Sequence, residues 1–351
     1  MLQVLIDPLK GNNEGKEEVV LNKTPEFLKN SRLENKIKLS FESTKGEMEA
    51  QRQDLPNYVS YLDSLNLRPP DPDKAIFVGA GDSLAACGFV ERLFDFAPKS
   101  LDPYDLIQYP ELARNKSVFI LSISGRTKAN VEAAWASAKL SKEIIAITTN
   151  ENSDLAKVSS RVVPLKFTKF PGLTPGTNSF TISMLAACAI LGKTPYQPDF
   201  TRIMALAQKE RYGSGEPPRA RHFVGSGKYY PLAMYGYAKN CEVLGGPGDY
   251  QLVEEFSHMN LFSLQGNDCV VILPNGEGDL RSQNLHARLV EAGVNSLLLD
   301  FDSAYDKITQ GIYYAVQLQY FALSLAQRKG LRQPAFLEKK KFLEISDKLI
   351  Y

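Results

Sequence analysis

The feature that most constrains the fold is an apolar strand that ends in a Gly-x-Gly turn and occurs twice along the chain. The first copy, AIFVGAG, spans residues 75–81 and precedes a predicted helix that begins at Ser83. The second copy, HFVGSG, spans residues 222–227 and precedes LAMYGYAKNC. Short apolar runs that end in glycines are typical of parallel strands. Their recurrence at the interval of one small domain indicates an internal duplication.

Strands and helices alternate after each of these turns. Apolar runs predict strands at residues 117–124, 143–149, 161–165 and 296–301, and a strand–loop–helix unit at residues 269–293. Long apolar helices are predicted at residues 177–191 and 311–329. Such alternation predicts parallel strands joined by right-handed crossovers. The predicted fold class is therefore α/β, with two tandem lobes, each a doubly wound, mainly parallel sheet flanked by helices.

Changes in composition mark the boundaries of the lobes. Residues 1–45 are polar and rich in Lys, Glu and Asn, and we interpret them as an N-terminal extension. The first lobe is expected at residues 46–195 and begins with a helix that Pro56 interrupts. The turn-rich sequence YGSGEPP indicates a linker at residues 196–219. Residues 220–351 then form the second lobe with a C-terminal tail.

Composition and charge exclude several classes of function. The 351 residues carry a net charge of +1, whereas a nucleic-acid-binding domain would be strongly basic. No apolar run reaches the roughly 18 to 20 residues of a membrane span, and the N-terminus lacks a secretory-signal pattern. The four cysteines are scattered and the three histidines lack metal-ligand spacing. We therefore expect a cytoplasmic protein with no membrane or nucleic-acid partner and no metal.

The first motif that can carry chemistry is GAGDS at residues 79–83, where a strand leads into a helix. Backbone N–H groups at such a turn are free to bind an anion. A dinucleotide-binding loop would have a third glycine, but Leu84 occupies that position. This departure argues against a dinucleotide cofactor.

The second motif, SISGRT at residues 122–127, brings three hydroxyl side chains to the start of the next helix. A monophosphate there would gain hydrogen bonds and the positive end of the helix dipole. The same hydroxyls would also serve as ordinary caps and turn residues. Because both motifs lie at the carboxyl edge of one predicted sheet, where such folds bind ligands, we favour the phosphate site.

G-x-G-x-S followed by S-x-S-G-x-T resembles the sugar-isomerase (SIS) family, most closely the isomerase half of glucosamine-6-phosphate synthase. The resemblance covers roughly residues 46–345, and no glutaminase domain is expected before it. It implies that the sugar phosphate binds the hydroxyl groups of Ser83, Ser122, Ser124 and Thr127. Weaker matches add Gly81 and, within PGTNSFT, Thr177.

A third set of residues lies in the second lobe. Lys239 and Glu242 are three residues apart and share a face if they are helical. An exposed pair is the ordinary interpretation, but the apolar and aromatic sequence around them favours a cleft. The SIS family has this Lys and Glu, with a His sixteen residues after the Glu, which is His258 here. The resemblance implies that Glu242 moves a proton between sugar C1 and C2. It also implies that His258 assists ring opening, reaching the site from the partner of a homodimer.

The C-terminal sequence QPAFLEK resembles the family's Q-P-x-x-L-x-K, whose final lysine contacts the open-chain sugar and becomes Lys339. Two positions depart from the family. Met259 and Asn260 replace a Gly-Pro pair after the histidine, and Tyr235 replaces an acidic residue four positions before the lysine. Both departures bear on which sugar the protein accepts.

The sequence thus predicts a phosphosugar isomerase or deaminase without a cofactor, acting on an amino or keto sugar 6-phosphate. Proton transfer between adjacent carbons needs a carboxylate, a second acid or base and cations to stabilise the intermediate. Deglycation of a fructosamine 6-phosphate would use the same groups. A non-catalytic sugar-phosphate sensor is the other alternative, although residues 1–45 contain no convincing helix-turn-helix.

Overall fold

The computed structural model describes residues 40–196, 198–209 and 216–351. Most of the predicted N-terminal extension therefore lies outside the described residues. The described chain begins with α1 (Ser40–Ser64), which continues through Pro56 without interruption. The predicted break was wrong because residues on both sides of the proline, Leu55 and Tyr58, are buried in the core and hold the helix in place.

Five parallel strands form the first sheet. They are β1 (Ala75–Val78), β2 (Lys99–Leu101), β3 (Ser117–Leu121), β4 (Glu143–Thr148) and β5 (Arg161–Pro164), in the order β2-β1-β3-β4-β5. The sheet is covered on both faces, because alternate residues of one strand enter different cores. Phe77 stacks on Phe119 in one core, while Ile76 lies in the other.

Six helices accompany this sheet. They are α2 (Asp82–Leu93), α3 (Pro103–Gln108), α4 (Lys128–Ser137), α5 (Asp154–Val158), α6 (Asn178–Ile190) and α7 (Phe200–Lys209). Helix α6 is buried nearly all round, as its apolar sequence predicts. Helix α7 is amphipathic and lies within the segment expected to be a linker.

Four parallel strands form the second sheet. They are β6 (Arg221–Gly225), β7 (Gly248–Leu252), β8 (Cys269–Leu273) and β9 (Asn295–Leu298), in the order β7-β6-β8-β9. This order repeats that of the first four strands of the first sheet. The prediction of two tandem α/β lobes with parallel sheets is thereby confirmed.

The helices of the second lobe include one irregular turn. They are α8 (Tyr230–Lys239), a π-helical turn (Asn240–Leu244), α9 (Val253–His258), α10 (Leu280–Glu291), α11 (Lys307–Arg328), α12 (Ala335–Glu338) and α13 (Lys340–Ile350). Within the described ranges, no helix is both long and apolar enough to cross a membrane.

The two lobes pack through the helices that follow their glycine turns, α2 and α8. Gly88 of α2 lies against Pro231 of α8, where a β-carbon would meet the proline ring at 3.3 Å. The Arg92 guanidinium donates to the carbonyl of Gly227 at 3.1 Å. One hydrophobic core runs through both lobes. As a result, the start of α2 faces the end of α8.

Candidate functional site

The glycine turn of the first lobe places Asp82 and Ser83 at the first turn of α2. Gly79 is required there because a β-carbon would lie 2.8 Å from the backbone carbon of Ser83. Gly81 adopts φ 58°, a conformation that favours glycine. Ser83 is half-buried. The loop thus presents a carboxylate and a hydroxyl at a helix N-terminus.

The loop after β3, residues 122–127, is called the hydroxyl loop here. It lies beside the glycine turn because β1 and β3 are paired neighbours in the sheet. The Ser122 hydroxyl is buried, accepts from the Gly125 N–H at 3.2 Å and lies 3.3 Å from the Thr127 hydroxyl. Ser124 accepts from the Arg126 N–H at 3.2 Å. Ser124 and Thr127 are half-buried, so they are more accessible than Ser122, which mainly shapes the turn.

The corresponding loop of the second lobe is acidic rather than hydroxyl-rich. Its Asp279 caps α10 by accepting from the Ser282 N–H at 3.1 Å, and it also accepts from the Asn275 N–H at 2.8 Å. Glu277 lies within the same loop. Carboxylates repel a phosphate, so this loop does not offer a second candidate for the predicted phosphate site.

Lys239, at the end of α8, joins the two lobes through its ammonium group. Its Nζ donates to Asp82 Oδ2 at 2.7 Å, to Glu242 Oε2 at 2.5 Å and to the Gly176 carbonyl at 3.1 Å. An ammonium has three donors, so all of them are used. The Lys239 side chain is only 1% exposed, whereas Asp82 is 22% and Glu242 is 37% exposed. The carboxylates therefore form the open side of this cluster.

Burial and charge shift the pKa values of these groups. Burial raises the pKa of Asp82 to about 7; the Lys239 ammonium opposes this rise and the Glu242 carboxylate adds to it. Burial alone would lower the pKa of Lys239, but Asp82 and Glu242 together raise it above its usual value. Lys239 therefore stays charged at neutral pH.

A second layer of residues fixes the segment before α6. Thr174 and Thr177 donate to the Glu47 carboxylate at 2.7 and 3.0 Å. Burial raises the pKa of Glu47, although the two threonine hydroxyls and Lys239 oppose the rise. Thr177 is itself buried, so the structure ties this predicted substrate residue to α1. Gly176 is small because a β-carbon there would collide with Asp82.

Tyr235, which replaces the family's acidic residue, lies inside the lobe interface. Its hydroxyl donates to the Gly176 carbonyl at 2.8 Å and accepts from Gln319 at 3.1 Å. Its ring stacks on Phe180 with centroids 3.7 Å apart. Tyr235 therefore packs beside Lys239, whose ammonium lies 5.0 Å from the centre of its ring.

The π-helical turn that carries Glu242 is held from two sides. Arg221, fully buried at the start of β6, donates to Asn240 Oδ1 at 2.5 Å. Asn240 in turn donates to the Gly246 carbonyl at 2.9 Å. Lys339 Nζ donates to the Gly245 carbonyl at 3.1 Å, which places this predicted substrate residue beside the turn. Such π turns occur frequently at functional sites.

His258 lies apart from this cluster. It is exposed at the end of α9, and within the described chain its side chain makes no hydrogen bond or ion pair. The structure therefore brings Lys239, Glu242 and Lys339 to one region of a single subunit without joining His258 to them.

Two residues of the cluster were missed at the sequence level. Asp82 lies in the quoted GAGDS motif, but its partner Lys239 comes from the other lobe. Glu47 lies on α1, and its threonine partners follow more than a hundred residues later. An acidic residue inside a glycine turn, where an anion site would avoid negative charge, is the signal that could have identified Asp82.

Comparisons with known proteins identify the fold. No family model and no curated protein sequence matches the chain. Among solved structures, it is similar to glucosamine-6-phosphate deaminase from Thermotoga maritima, with TM-score 0.67 and 19% identity over 82% of this chain and 95% of that chain. The chain has the SIS fold.

Two further structures share this SIS fold. Tagatose-6-phosphate ketose/aldose isomerase from Escherichia coli matches with TM-score 0.61 and 16% identity, over 86% of this chain and 94% of that one. The C-terminal domain of glucosamine-fructose-6-phosphate aminotransferase from Francisella tularensis matches with TM-score 0.53 and 19% identity, over 87% and 98%. The predicted resemblance is confirmed at the level of the fold.

Proposed function

We propose that this SIS protein is a phosphosugar isomerase or deaminase that acts on an amino or keto sugar 6-phosphate, of the glucosamine 6-phosphate and fructose 6-phosphate type. The observation that carries the proposal is the contact between Lys239 and Glu242. A buried ammonium holds one oxygen of a partly exposed carboxylate at 2.5 Å, at the interface between the lobes. The solved structures with this fold include a deaminase and an isomerase of sugar 6-phosphates, which supports the same substrate class.

Glu242 is the proposed base. Its carboxylate removes a proton from one of the two adjacent carbons C1 and C2 and returns it to the other. Lys239 binds Oε2 of Glu242, so the other carboxylate oxygen of Glu242 is available to take up the proton. Lys339, beside the π-helical turn, contacts the open-chain sugar. This proton transfer needs a base, an acid and positive charge, and no redox cofactor takes part.

The phosphate binds at the carboxyl edge of the first sheet. Ser124 and Thr127 offer accessible hydroxyls at the start of α4, and Ser83 offers another at the start of α2. The N-terminal N–H groups of both helices add positive electrostatic potential. Ser122 orders the loop through Gly125.

We further propose that the protein is a homodimer in which His258 enters the site of the partner subunit. Within the described residues of one chain, His258 is exposed and forms no hydrogen bond or ion pair with the cluster. The residues after it include three exposed apolar side chains: Met259, Leu261 and Phe262, the last 84% exposed. Such a patch next to a proposed catalytic residue supports contact with a second copy.

The proposal is tested with the purified full chain and four ligands: fructose 6-phosphate, glucosamine 6-phosphate, glucose 6-phosphate and a fructosamine 6-phosphate. Thermal shift measures binding, because a ligand that binds the folded state raises Tm. Product and ammonia assays measure turnover. Stabilisation with turnover of glucosamine or fructose 6-phosphate is expected. Stabilisation without turnover of any ligand would indicate a sensor, and turnover of the fructosamine alone would indicate a deglycase.

A further inference from the structure

The cluster around Lys239 has more negative than positive charge. Its carboxylates are those of Asp82 and Glu242, and Glu47 lies behind them with its carboxylate held by two threonines. Lys239 is the one cation that forms an ion pair with them among the described residues. Two other basic residues lie at the turn, where Arg221 donates to Asn240 and Lys339 donates to the Gly245 carbonyl. Among the described residues, neither forms an ion pair with these carboxylates. The open side of the cluster is therefore anionic.

The cluster also has an unused acceptor, whereas the donors of Lys239 are all used. The three donors of Lys239 are directed at Asp82, Glu242 and Gly176, and none is left for a ligand. The second carboxylate oxygen of Asp82, Oδ1, is itself buried and has no hydrogen-bond partner in the described chain, although the Asp82 side chain as a whole is 22% exposed. A carboxylate accepts hydrogen bonds only, and an unused acceptor that is shielded from water costs free energy.

A protonated amine complements such a surface better than a hydroxyl does. It brings a positive charge and three N–H donors to a site that has excess negative charge. A hydroxyl brings one donor and no charge. Hydrogen bonds to a charged group also stabilise a complex more than neutral ones do.

We propose that Asp82 is a specificity-determining residue that, with Glu242, receives the cationic nitrogen of an aminosugar phosphate. The site then prefers an amino sugar 6-phosphate over the matching neutral sugar phosphate. This inference rests on the proposed function, because it assumes that a sugar phosphate occupies the cleft at the lobe interface. The interaction depends on the negative charge of the Asp82 carboxylate, which an asparagine side chain of the same shape lacks.

The sharpest test uses the wild-type chain and two open-chain ligands, 2-amino-2-deoxyglucitol 6-phosphate and glucitol 6-phosphate. They differ by one ammonium in place of one hydroxyl. Isothermal titration at pH 7 measures both dissociation constants. We expect the amino ligand to bind about 10- to 100-fold more tightly. Equal affinities, or tighter binding of glucitol 6-phosphate, would overturn the inference while leaving the proposed function intact.

The variant Asp82→Asn tests whether Asp82 causes the preference for the amino ligand. In Asp82→Asn the ratio of the two dissociation constants is expected to fall by about 10-fold, because the negative charge of Asp82 is lost while that of Glu242 remains. Asp102→Asn is the control: Asp102 also lies at a helix start in the first lobe, where it accepts from the Tyr104 N–H at 2.8 Å. A ratio unchanged in Asp82→Asn would refute the role of Asp82. If neither ligand binds the wild-type chain and no sugar phosphate is turned over, the proposed function itself fails.

Discussion

The Asp82 carboxylate of the first lobe lies 2.7 Å from the Lys239 ammonium of the second lobe. The contact joins residues 157 positions apart in sequence, and it connects the glycine turn of one lobe to the helix that follows the glycine turn of the other. The candidate site is therefore a product of the lobe interface, and neither lobe contains it alone.

Removal of the ammonium should destabilise the fold. In Lys239→Ala two carboxylates face each other without a cation, and we expect the free energy of unfolding to fall by about 3 kcal/mol, the lower end for a buried pair because both acids are partly exposed. Urea denaturation measures this change. The control is Lys157→Ala, which removes an exposed contact of 2.8 Å with Asp154 at the same three-residue spacing. Equal effects of the two variants would contradict the structural role of Lys239.

The hydroxyl loop should bind the phosphate through its accessible side chains. Ser124→Ala is expected to weaken fructose 6-phosphate binding about 10-fold, because a hydrogen bond to a charged oxygen is lost. Titration calorimetry gives the dissociation constant. Ser159→Ala serves as the control, since that hydroxyl lies just after α5 and donates to the Leu155 carbonyl of that helix. An unchanged dissociation constant in Ser124→Ala would remove the loop from the phosphate site.

The amino preference should depend on pH, because Asp82 has a pKa of about 7. Below that pKa the carboxyl is protonated and neutral, so its attraction for a cation is lost as pH falls. Both ligands carry the same phosphate, whose titration cancels in the ratio of dissociation constants. An ordinary amine titrates near pH 8 and keeps its proton in this range.

Between pH 5.5 and 7 the preference for 2-amino-2-deoxyglucitol 6-phosphate over glucitol 6-phosphate is expected to rise about 10-fold. Lys239 and Glu242 face Asp82 as well, and Glu47 lies behind them, so the same measurement on Asp82→Asn isolates the contribution of Asp82. A ratio that stays flat in the wild-type chain, or that rises equally in the variant, would contradict the assignment.

Much of the fold could be predicted from the sequence because its central strands are continuous apolar runs. Strands β1, β3 and β8 are buried along their whole length. Strands β2 and β7 escaped prediction because KSL and GDYQL are short, partly exposed and without an apolar run. They lie at the edges of their sheets, where they form strands through backbone pairing with β1 and β6 rather than through burial of apolar side chains.

The candidate site was only partly predictable for a related reason. Lys239 and Glu242 are close in sequence, so spacing brings them together. Asp82 approaches them because the two lobes pack together, and Glu47 approaches them because α1 packs against the segment before α6. No local sequence pattern predicts such contacts. His258 stands at the family interval but is exposed on the surface of one chain, so its predicted role is untested by the contacts within that chain.

The proposed sharing of the site between subunits predicts complementation. Glu242→Gln and His258→Ala dimers should each be inactive, but subunit exchange between them should restore up to about a quarter of the wild-type rate, since a mixed dimer has one intact site. The rate of product formation after mixing measures this. Absence of any recovery, with exchange verified by mass labels, would argue that His258 acts within its own chain or takes no part.

The role of Glu242 as the base is tested most directly by measuring hydrogen exchange at C1 of the sugar phosphate. Fructose 6-phosphate is incubated with the purified full chain in deuterium oxide, and NMR follows deuterium at C1, with Glu242→Gln as the matched variant. We expect incorporation by the wild-type chain and a rate lower by about 10²- to 10⁴-fold in the variant, which still binds the ligand. Binding without incorporation, or equal incorporation by both proteins, would contradict Glu242 as the base.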